Sequence, residues 1–296
     1  MRELDERISS NFDQNAAAVL LVGDCLDSLK SIPDNSVRLI VTSPPYNIGK
    51  DYEDILPVEQ YLSFQRDVIR ECVRVLSDDG NICWQVGFTK FGAEPVPLDA
   101  LLYPIFKEFG LVLRNRIIWT FGHGPPIKNR FSGRHETVLW FSKTQNSFFE
   151  VDGVRVPQKY PGKRYYRGPK RGEYSGHPLG KNPGDVWDIP NVKAHHPEKT
   201  AHQCQFPIGL IQRLVRSLSS PGDWVLDPFA GVGSAACGAI IEDRRAIACE
   251  LLDEYAEIAG VRMVQALDGV LPYRDIDKPI QAPNPDSDVG HRKHEF

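Results

Sequence analysis

The sequence predicts an α/β fold, a doubly wound and mostly parallel sheet, on three observations. Short apolar, partly β-branched runs bounded by turn residues alternate with segments of helical period. The alternation holds on both sides of an irregular basic stretch. Late in the chain, Trp224 to Leu226 runs through a glycine turn into a helix from Ser234 to Ile241, the strand–turn–helix order of a parallel βα unit.

Residues 1–17 read as an N-terminal arm. Ala18 to Gly23 and Val37 to Thr42 are near-continuous apolar runs, as strands buried on both faces require. Between them Leu26-Asp-Ser-Leu-Lys-Ser-Ile32 forms a short helix, stopped at Pro33, which lacks an N–H to continue it. Within Val58 to Leu76, Tyr61, Phe64, Val68, Cys72 and Val75 recur at spacings of three and four, an amphipathic helix ended by Asp78-Asp79-Gly80. Asn81 to Val86 is strand-like and Leu98 to Phe109 helical; Val112 to Thr120 and Glu136 to Ser142 are strands again. The pair His135-Glu136 stands just before the last of these, with nothing in the sequence to fix a role. Ala246-Ile-Ala-Cys-Glu250 is a further strand, one that ends in an acid. Residues 268–296, rich in Pro, Asp and Lys from Pro272 onward and almost free of large apolar side chains, read as a disordered tail.

With 296 residues, 41% hydrophobic and 25% charged, the chain can bury a large core, which excludes disorder as its main state. No stretch approaches the ~18 uninterrupted apolar residues of a membrane span, and Met-Arg-Glu-Leu-Asp-Glu-Arg7 is too charged for a secretory signal, so a cytoplasmic location is expected. Six scattered cysteines with no C-x-x-C pair suit a reduced core better than a disulfide framework or a zinc ribbon. His195, His196, His202 and Cys204 lack acidic or cysteine partners at ligand spacing, so no metal is expected.

The formal charge of −4 conceals a local field. From Arg155 to Arg171 seven of seventeen residues are basic (Arg155, Lys159, Lys163, Arg164, Arg167, Lys170, Arg171) and none is acidic. Four tyrosines and many Gly and Pro between Gly153 and Pro190 leave no helical period, so the segment reads as an irregular insertion, either a solvated loop or a nucleic-acid contact.

Two segments carry chemistry. In Val41-Thr-Ser-Pro-Pro-Tyr-Asn-Ile-Gly-Lys50, directly after a buried strand, consecutive prolines fix φ, remove two N–H donors and hold Ser43 extended. A rigid cluster of acceptors results, with Tyr46 offering a flat face beside it, a combination suited to a planar group that carries an NH₂. A stiff loop with a solvent-facing tyrosine fits the same residues. The second segment is Pro221-Gly-Asp-Trp-Val-Leu-Asp-Pro-Phe-Ala-Gly-Val-Gly-Ser234, where glycines let the backbone approach a ligand and the helix start offers free N–H groups. About twenty residues on, Glu250 ends a strand where a carboxylate can accept both hydroxyls of a ribose. The missing third glycine disfavours a nicotinamide dehydrogenase.

Asp227-Pro-Phe-Ala-Gly-Val-Gly-Ser234 resembles the cofactor motif, and Ser43-Pro-Pro-Tyr46 the catalytic motif, of the DNA amino-methyltransferases that use S-adenosyl-L-methionine. His196-Pro-Glu-Lys-Thr200, upstream of the cofactor motif, adds to the match. The order, catalytic motif, basic insertion, cofactor motif, is similar to the β subgroup of that family, and the resemblance covers Val19 to Met263. It implies a seven-stranded sheet, a methyltransferase domain formed by residues 18–150 and 195–267, and an inserted target-recognition region at 151–194. It also implies site residues. Asp227, Phe229, Ala230, Gly231 and Gly233 would line the methionine part of the cofactor, Glu250 would hold the ribose, and Asp24 with Cys25 would lie near the adenine. Lys199 and Thr200 would meet the cofactor carboxylate. In the catalytic motif of Ser43, Pro44, Pro45 and Tyr46, the Ser43 side chain and the Pro44 carbonyl would accept the two amino hydrogens while Tyr46 stacks on a base flipped out of the duplex. The seven basic residues from Arg155 to Arg171 would bind DNA phosphates and read base edges.

The implied partner is double-stranded DNA, and a cognate restriction endonuclease and a homodimer are compatible with the family. Ser at the first motif position is commoner among enzymes for cytosine N4, whereas Tyr46-Asn-Ile-Gly-Lys50 looks like adenine-N6 members. The rivals are a methyltransferase for RNA or protein and a catalytically silent DNA-binding module.

Overall fold

The computed structural model describes residues 5–50, 52–92, 94–122, 124 and 126–278. In chain order its elements are β1 (Ile8–Ser9), β2 (Ala18–Val22), α1 (Cys25–Lys30), β3 (Val37–Thr42), α2 (Val58–Val75), β4 (Leu76–Val86), β5 (Phe88–Phe91), β6 (Glu94–Pro97), α3 (Leu98–Glu108), β7 (Val112–Thr120), β8 (His135–Ser142), β9 (Val186–Asp188), α4 (Ile208–Leu218), β10 (Trp224–Asp227), α5 (Ser234–Ile241), β11 (Arg245–Glu250) and α6 (Asp253–Leu267).

Alternation along the strands explains why helices cover both faces, since successive side chains of a strand point to opposite sides of its sheet. Ala18 and Leu20 of β2, Val225 of β10 and Ala246 and Ala248 of β11 pack with α4, α5 and α6. Their neighbours Val19, Leu21, Trp224, Leu226, Ile247 and Cys249 pack on the other face, with α1, α2 and α3. Helix α2 buries one stripe, Tyr61, Gln65, Val68, Ile69, Cys72 and Val75, whereas α5 is buried on nearly every side and carries almost no polar residue.

The sheet runs β1-β2-β11-β10-β3-β4-β8-β7-β9. Its seven central strands are the expected ones; β1 and β9, of two and three residues, extend the edges. Only β8 is antiparallel to its neighbours, and every other pairing in this sheet is parallel. The carboxyl ends of β2, β11, β10, β3 and β4 therefore share one edge of the sheet, and the reversal of β8 brings its first residues there as well. Strands β5 and β6 form a separate hairpin.

Residues 151–185 contain little regular structure beyond a turn of 3₁₀-helix at Asp152–Val154 and bridges pairing Val156 with Lys181 and Arg164 with Tyr174. The chain then returns to the sheet through β9, parallel to β7. Residues 268–278, which the sequence assigns to a disordered tail, are instead docked. Leu271 is buried, the Arg274 N–H donates to Glu198 Oε1 at 3.1 Å, the Ile276 N–H donates to Gln212 Oε1 at 3.0 Å, and Asp277 pairs with Arg216 at 2.7 Å. Backbone donors there meet buried acceptors elsewhere in the chain, a match that local composition does not reveal. The remainder of that assignment, 279–296, lies outside the described residues. Among the described residues no helix is long and apolar enough to cross a membrane.

Candidate active site

The loops that follow the parallel strands meet around a cleft of about 260 Å³, at the sheet edge where open α/β folds bind ligands. Asp24 and Cys25 after β2, Ser43 to Tyr46 after β3, Phe229 to Gly231 after β10 and Glu250 at the end of β11 all line it. Two segments far apart in the sequence are thus one site because β3 and β10 are adjacent strands.

A buried hydrogen bond joins them. Thr42 Oγ1 donates to Asp227 Oδ1 at 2.5 Å, and the Phe229 N–H donates to the same oxygen at 3.0 Å. Asp227 is only 1% exposed, so it lies beneath the glycine turn and off the cleft wall, and its Oδ2 is buried without a partner. Burial, with the charge of Glu250 adding to it, pushes the Asp227 carboxyl up to about 7.

Two glycines make the turn possible. Gly231 and Gly233 have φ of 53° and 75°, the left-handed region, and a Cβ on Gly233 would stand 3.1 Å from that of Ala259 on α6. Gly233→Ala is expected to cost about 1–2 kcal/mol of stability from the backbone conformation alone, read as a lower urea midpoint at unchanged slope. Gly233 itself does not line the cleft. Beside the turn, each Glu250 oxygen accepts one backbone N–H, from Gly231 at 2.7 Å and from Leu252 at 2.9 Å, which fixes the carboxylate in place. Burial raises its pKa. Asp24 caps α1 by accepting the Leu26 N–H at 2.8 Å. Burial, then the Asp24 charge, pushes the Cys25 thiol up to about 12, so it is no nucleophile.

The Ser43-Pro-Pro-Tyr46 loop is braced from below. Tyr61 donates its hydroxyl to the Pro45 carbonyl at 2.9 Å, and Asn47 exchanges hydrogen bonds with Leu56 at 2.6 and 2.8 Å. Tyr46 is half-buried, with its hydroxyl turned inward. Gln85 Nε2 of β4 donates to that hydroxyl at 2.8 Å and also to Glu136 Oε2. Tyr46 donates to Glu136 Oε2 at 3.3 Å, and Ser43 Oγ donates to Tyr46 at 3.3 Å. Glu136, in the pair without a sequence-assigned role, therefore ends a chain of hydroxyls that starts at Ser43. Burial raises its pKa, opposed by Gln85, Tyr46 and the charge of Lys193.

Lys199 and Thr200 do not line the cleft. They brace its wall: Lys199 Nζ donates to the His202 carbonyl at 2.6 Å and Thr200 Oγ1 donates to Gln205 Oε1 at 3.0 Å. His202 to Phe206, which the sequence reading did not place in the site, do line it. His202 is stacked on Tyr52 at 5.1 Å and set edge-on to Tyr255 at 4.7 Å, close over Gly231. Burial, with the Lys199 charge second, lowers its pKa to about 4, so it is a neutral roof at physiological pH. Among the described residues no group of three or more His, Cys, Asp or Glu could hold a metal ion.

None of the seven basic residues from Arg155 to Arg171 lines the cleft. Arg155 pairs with Asp152 at 2.6 Å and donates to the Gly180 carbonyl, and Arg164 donates to the Gly172 carbonyl and lies 4.0 Å from the Tyr174 ring centre. Lys159 and Arg167 lie over Tyr160 and Tyr166; Lys163, Lys170 and Arg171 are exposed. Among the described residues it is Lys193, within the same insertion just after β9, that lines the cleft as a Lys or Arg.

Residues 37–260 match the family model for DNA methylases of the N6/N4 type, and the chain belongs to that family. It is 46% identical over 258 residues to the type II methyltransferase M.BglII of Bacillus subtilis, covering 87% of this chain and 72% of that one. With the DNA adenine methyltransferase YhdJ of Escherichia coli K12 it shares 32% identity over 254 residues, 84% of this chain and 83% of the relative. Among solved structures, a Thermus thermophilus protein described as a DNA modification methylase, complexed with S-adenosyl-L-methionine, superposes with a TM-score of 0.62 at 29% identity, covering 88% of this chain and 99% of that one.

Proposed function

We propose that the chain is a site-specific DNA methyltransferase that moves a methyl group from S-adenosyl-L-methionine to the exocyclic amino nitrogen of a base flipped out of duplex DNA, with cytosine N4 as the target. The observation that carries the reading is the Thr42–Asp227 hydrogen bond, which sets an acceptor-rich Ser-Pro-Pro-Tyr loop and a glycine turn on one cleft. The residues present fit the cofactor: Glu250 offers a carboxylate already oriented by two backbone N–H groups, Asp24 a second at a nearby strand end, and Gly231 lets the backbone come close. When bound, the cofactor supplies a methyl group made electrophilic by its sulfonium.

The protein's own task is then positioning. An amino nitrogen whose lone pair is delocalised into the base ring is a poor nucleophile, and directional acceptors favour its pyramidal form. In this reading Ser43 Oγ and the Pro44 carbonyl accept its two hydrogens, while Tyr46 presents a ring to the base. The amino group loses one proton on methylation, and the hydrogen-bonded series from Ser43 through Tyr46 to Glu136 offers that proton an acceptor.

Adenine N6 is the second reading, favoured by Tyr46-Asn-Ile-Gly-Lys50 and by the substrate named for YhdJ. Further parts of the proposal are that residues 151–194 recognise the target sequence through their exposed lysines and arginines, that the enzyme works in the cytoplasm within a restriction–modification system, and that a cognate endonuclease or a second copy joins it there.

Incubating the protein with the cofactor and unmethylated genomic DNA, digesting to nucleosides and reading the product by mass spectrometry tests this directly. N4-methylcytosine is expected from the wild type and none from Ser43→Ala. N6-methyladenine would transfer the same mechanism to the second reading, and methyl transfer to RNA or protein alone would overturn both.

A further inference from the structure

The loop between β7 and β8 leaves the sheet where the cleft opens, since Phe121 at its start and Glu136 just past its end both line the cleft. The Phe121 N–H donates to the Arg134 carbonyl at 3.0 Å, so the hairpin continues one step beyond the strands. It narrows again where the Ile127 N–H donates to Ser132 Oγ at 3.0 Å. That closure leaves a four-residue tip, Lys128-Asn129-Arg130-Phe131, all four residues of which are exposed. Phe131 is 99% exposed, more than any other large apolar residue among the described residues. Its ring contributes nothing to the folded core, because apolar surface stabilises only when removed from water. Lys128, Arg130 and Arg134 flank it in the sequence, and no acidic residue occurs from Gly122 to Arg134.

We propose that this tip is a DNA wedge: Phe131 enters the base stack beside the nucleotide leaving the duplex, with Lys128 and Arg130 on the flanking phosphates. The inference rests on the cleft's taking a flipped base. A base drawn out of a duplex leaves neighbours that have each lost a stacking face, and extrusion costs least when the base is already unpaired. A flat apolar ring offsets that loss, as wedge residues do at kinked steps, and adjacent cations replace counterions on the backbone. The complementary charge and the loop's two ends at the cleft select DNA over other occupants.

The test begins with wild-type protein on plasmid DNA, whose methylated positions, read by sequencing, define a duplex oligonucleotide bearing the site. Failure of the wild type to methylate any DNA would remove the underlying reading before a variant is compared. On the matched duplex, Phe131→Ala is expected to slow single-turnover methyl transfer about 10- to 100-fold. On the same duplex with the target base mismatched it should recover to within about threefold of wild type, because extrusion is then easier. Phe131→Trp should keep the matched rate, and calorimetric cofactor affinity should be unchanged in both variants. Equal loss on matched and mismatched duplexes, or no loss on either, would overturn the wedge. So would a change of oligomeric state in Phe131→Ala, which would make the tip a contact for a second copy.

Discussion

Asp227→Ala is expected to weaken cofactor affinity at least tenfold and to destabilise the ligand-free chain by about 2–4 kcal/mol, since it strips the acceptor from two buried donors at about 1–3 kcal/mol each. Those donors, the Thr42 hydroxyl and the Phe229 N–H, belong to the strand that leads into the Ser-Pro-Pro-Tyr loop and to the glycine turn, so both halves of the candidate site loosen together. Calorimetry of cofactor binding and urea unfolding read the two effects separately. Asp227→Asn keeps an oxygen for both donors and should recover most of the stability.

The same pair of proteins reveals the titration of Asp227. Its pKa is raised to about 7 in the fold, with burial as the first cause, against an ordinary value of about 4 when unfolded. Between those values the native chain holds a proton that the unfolded chain releases, so this group lowers stability as pH rises from about 4 to about 7. Wild type should therefore lose stability relative to Asp227→Asn as pH rises from about 4 to about 7. A difference independent of pH would mean that the carboxyl ionises normally in its buried place.

Much of the fold was legible because its strands are buried on both faces and its breakers are strong. Val37–Thr42 and Val112–Thr120 fall where their apolar runs begin and end, and Pro33 punctuates as proline must. Helix α4 went unassigned although Ile208, Ile211, Leu214, Val215 and Leu218 stand at helical spacing after Pro207; what the local sequence lacks is its cap, which the distant Glu198 supplies, its Oε2 accepting the Ile208 N–H at 2.9 Å. Strand β9, three residues long, exists because β7 offers it a ladder, which no local pattern states. The two motifs were legible as chemistry because each packs its special residues into a few consecutive positions. Glu136, Gln85 and Lys193 were not, since each is an ordinary residue that tertiary structure alone turns toward Tyr46 and the cleft. A sharp local charge signal pointed to Arg155 and Arg164, yet in the fold both hold the insertion's own backbone.

Glu136→Gln is expected to lower kcat about 100-fold, within the range of general acid–base contributions, while leaving calorimetric cofactor affinity unchanged. The argument rests on which atoms the carboxylate can replace. Glutamine keeps the size of Glu136 and can still accept from Gln85 and Tyr46, so the ring of Tyr46 stays where Gln85 and the Asn47–Leu56 bonds hold it. What it cannot do is take up the proton that leaves the amino nitrogen. The wild-type carboxylate must be ionised to do so, and burial raises its pKa while Lys193 opposes the shift; kcat should therefore rise with pH through that raised value and then level. Tyr46 and Lys193 face the same carboxylate, and His135 beside it and Cys204 near Tyr46 are also titratable, so the limb is assigned by its disappearance in Glu136→Gln, not by its midpoint. Tyr46→Phe keeps the ring and removes only the hydroxyl between Ser43 and Glu136. It should match Glu136→Gln in kcat, and the double variant should be no worse than either single one, since a broken relay cannot be broken twice. Additive losses would instead make Glu136 a contact to the base in its own right, and a wild-type kcat in Tyr46→Phe would send the proton directly from the amino group to water.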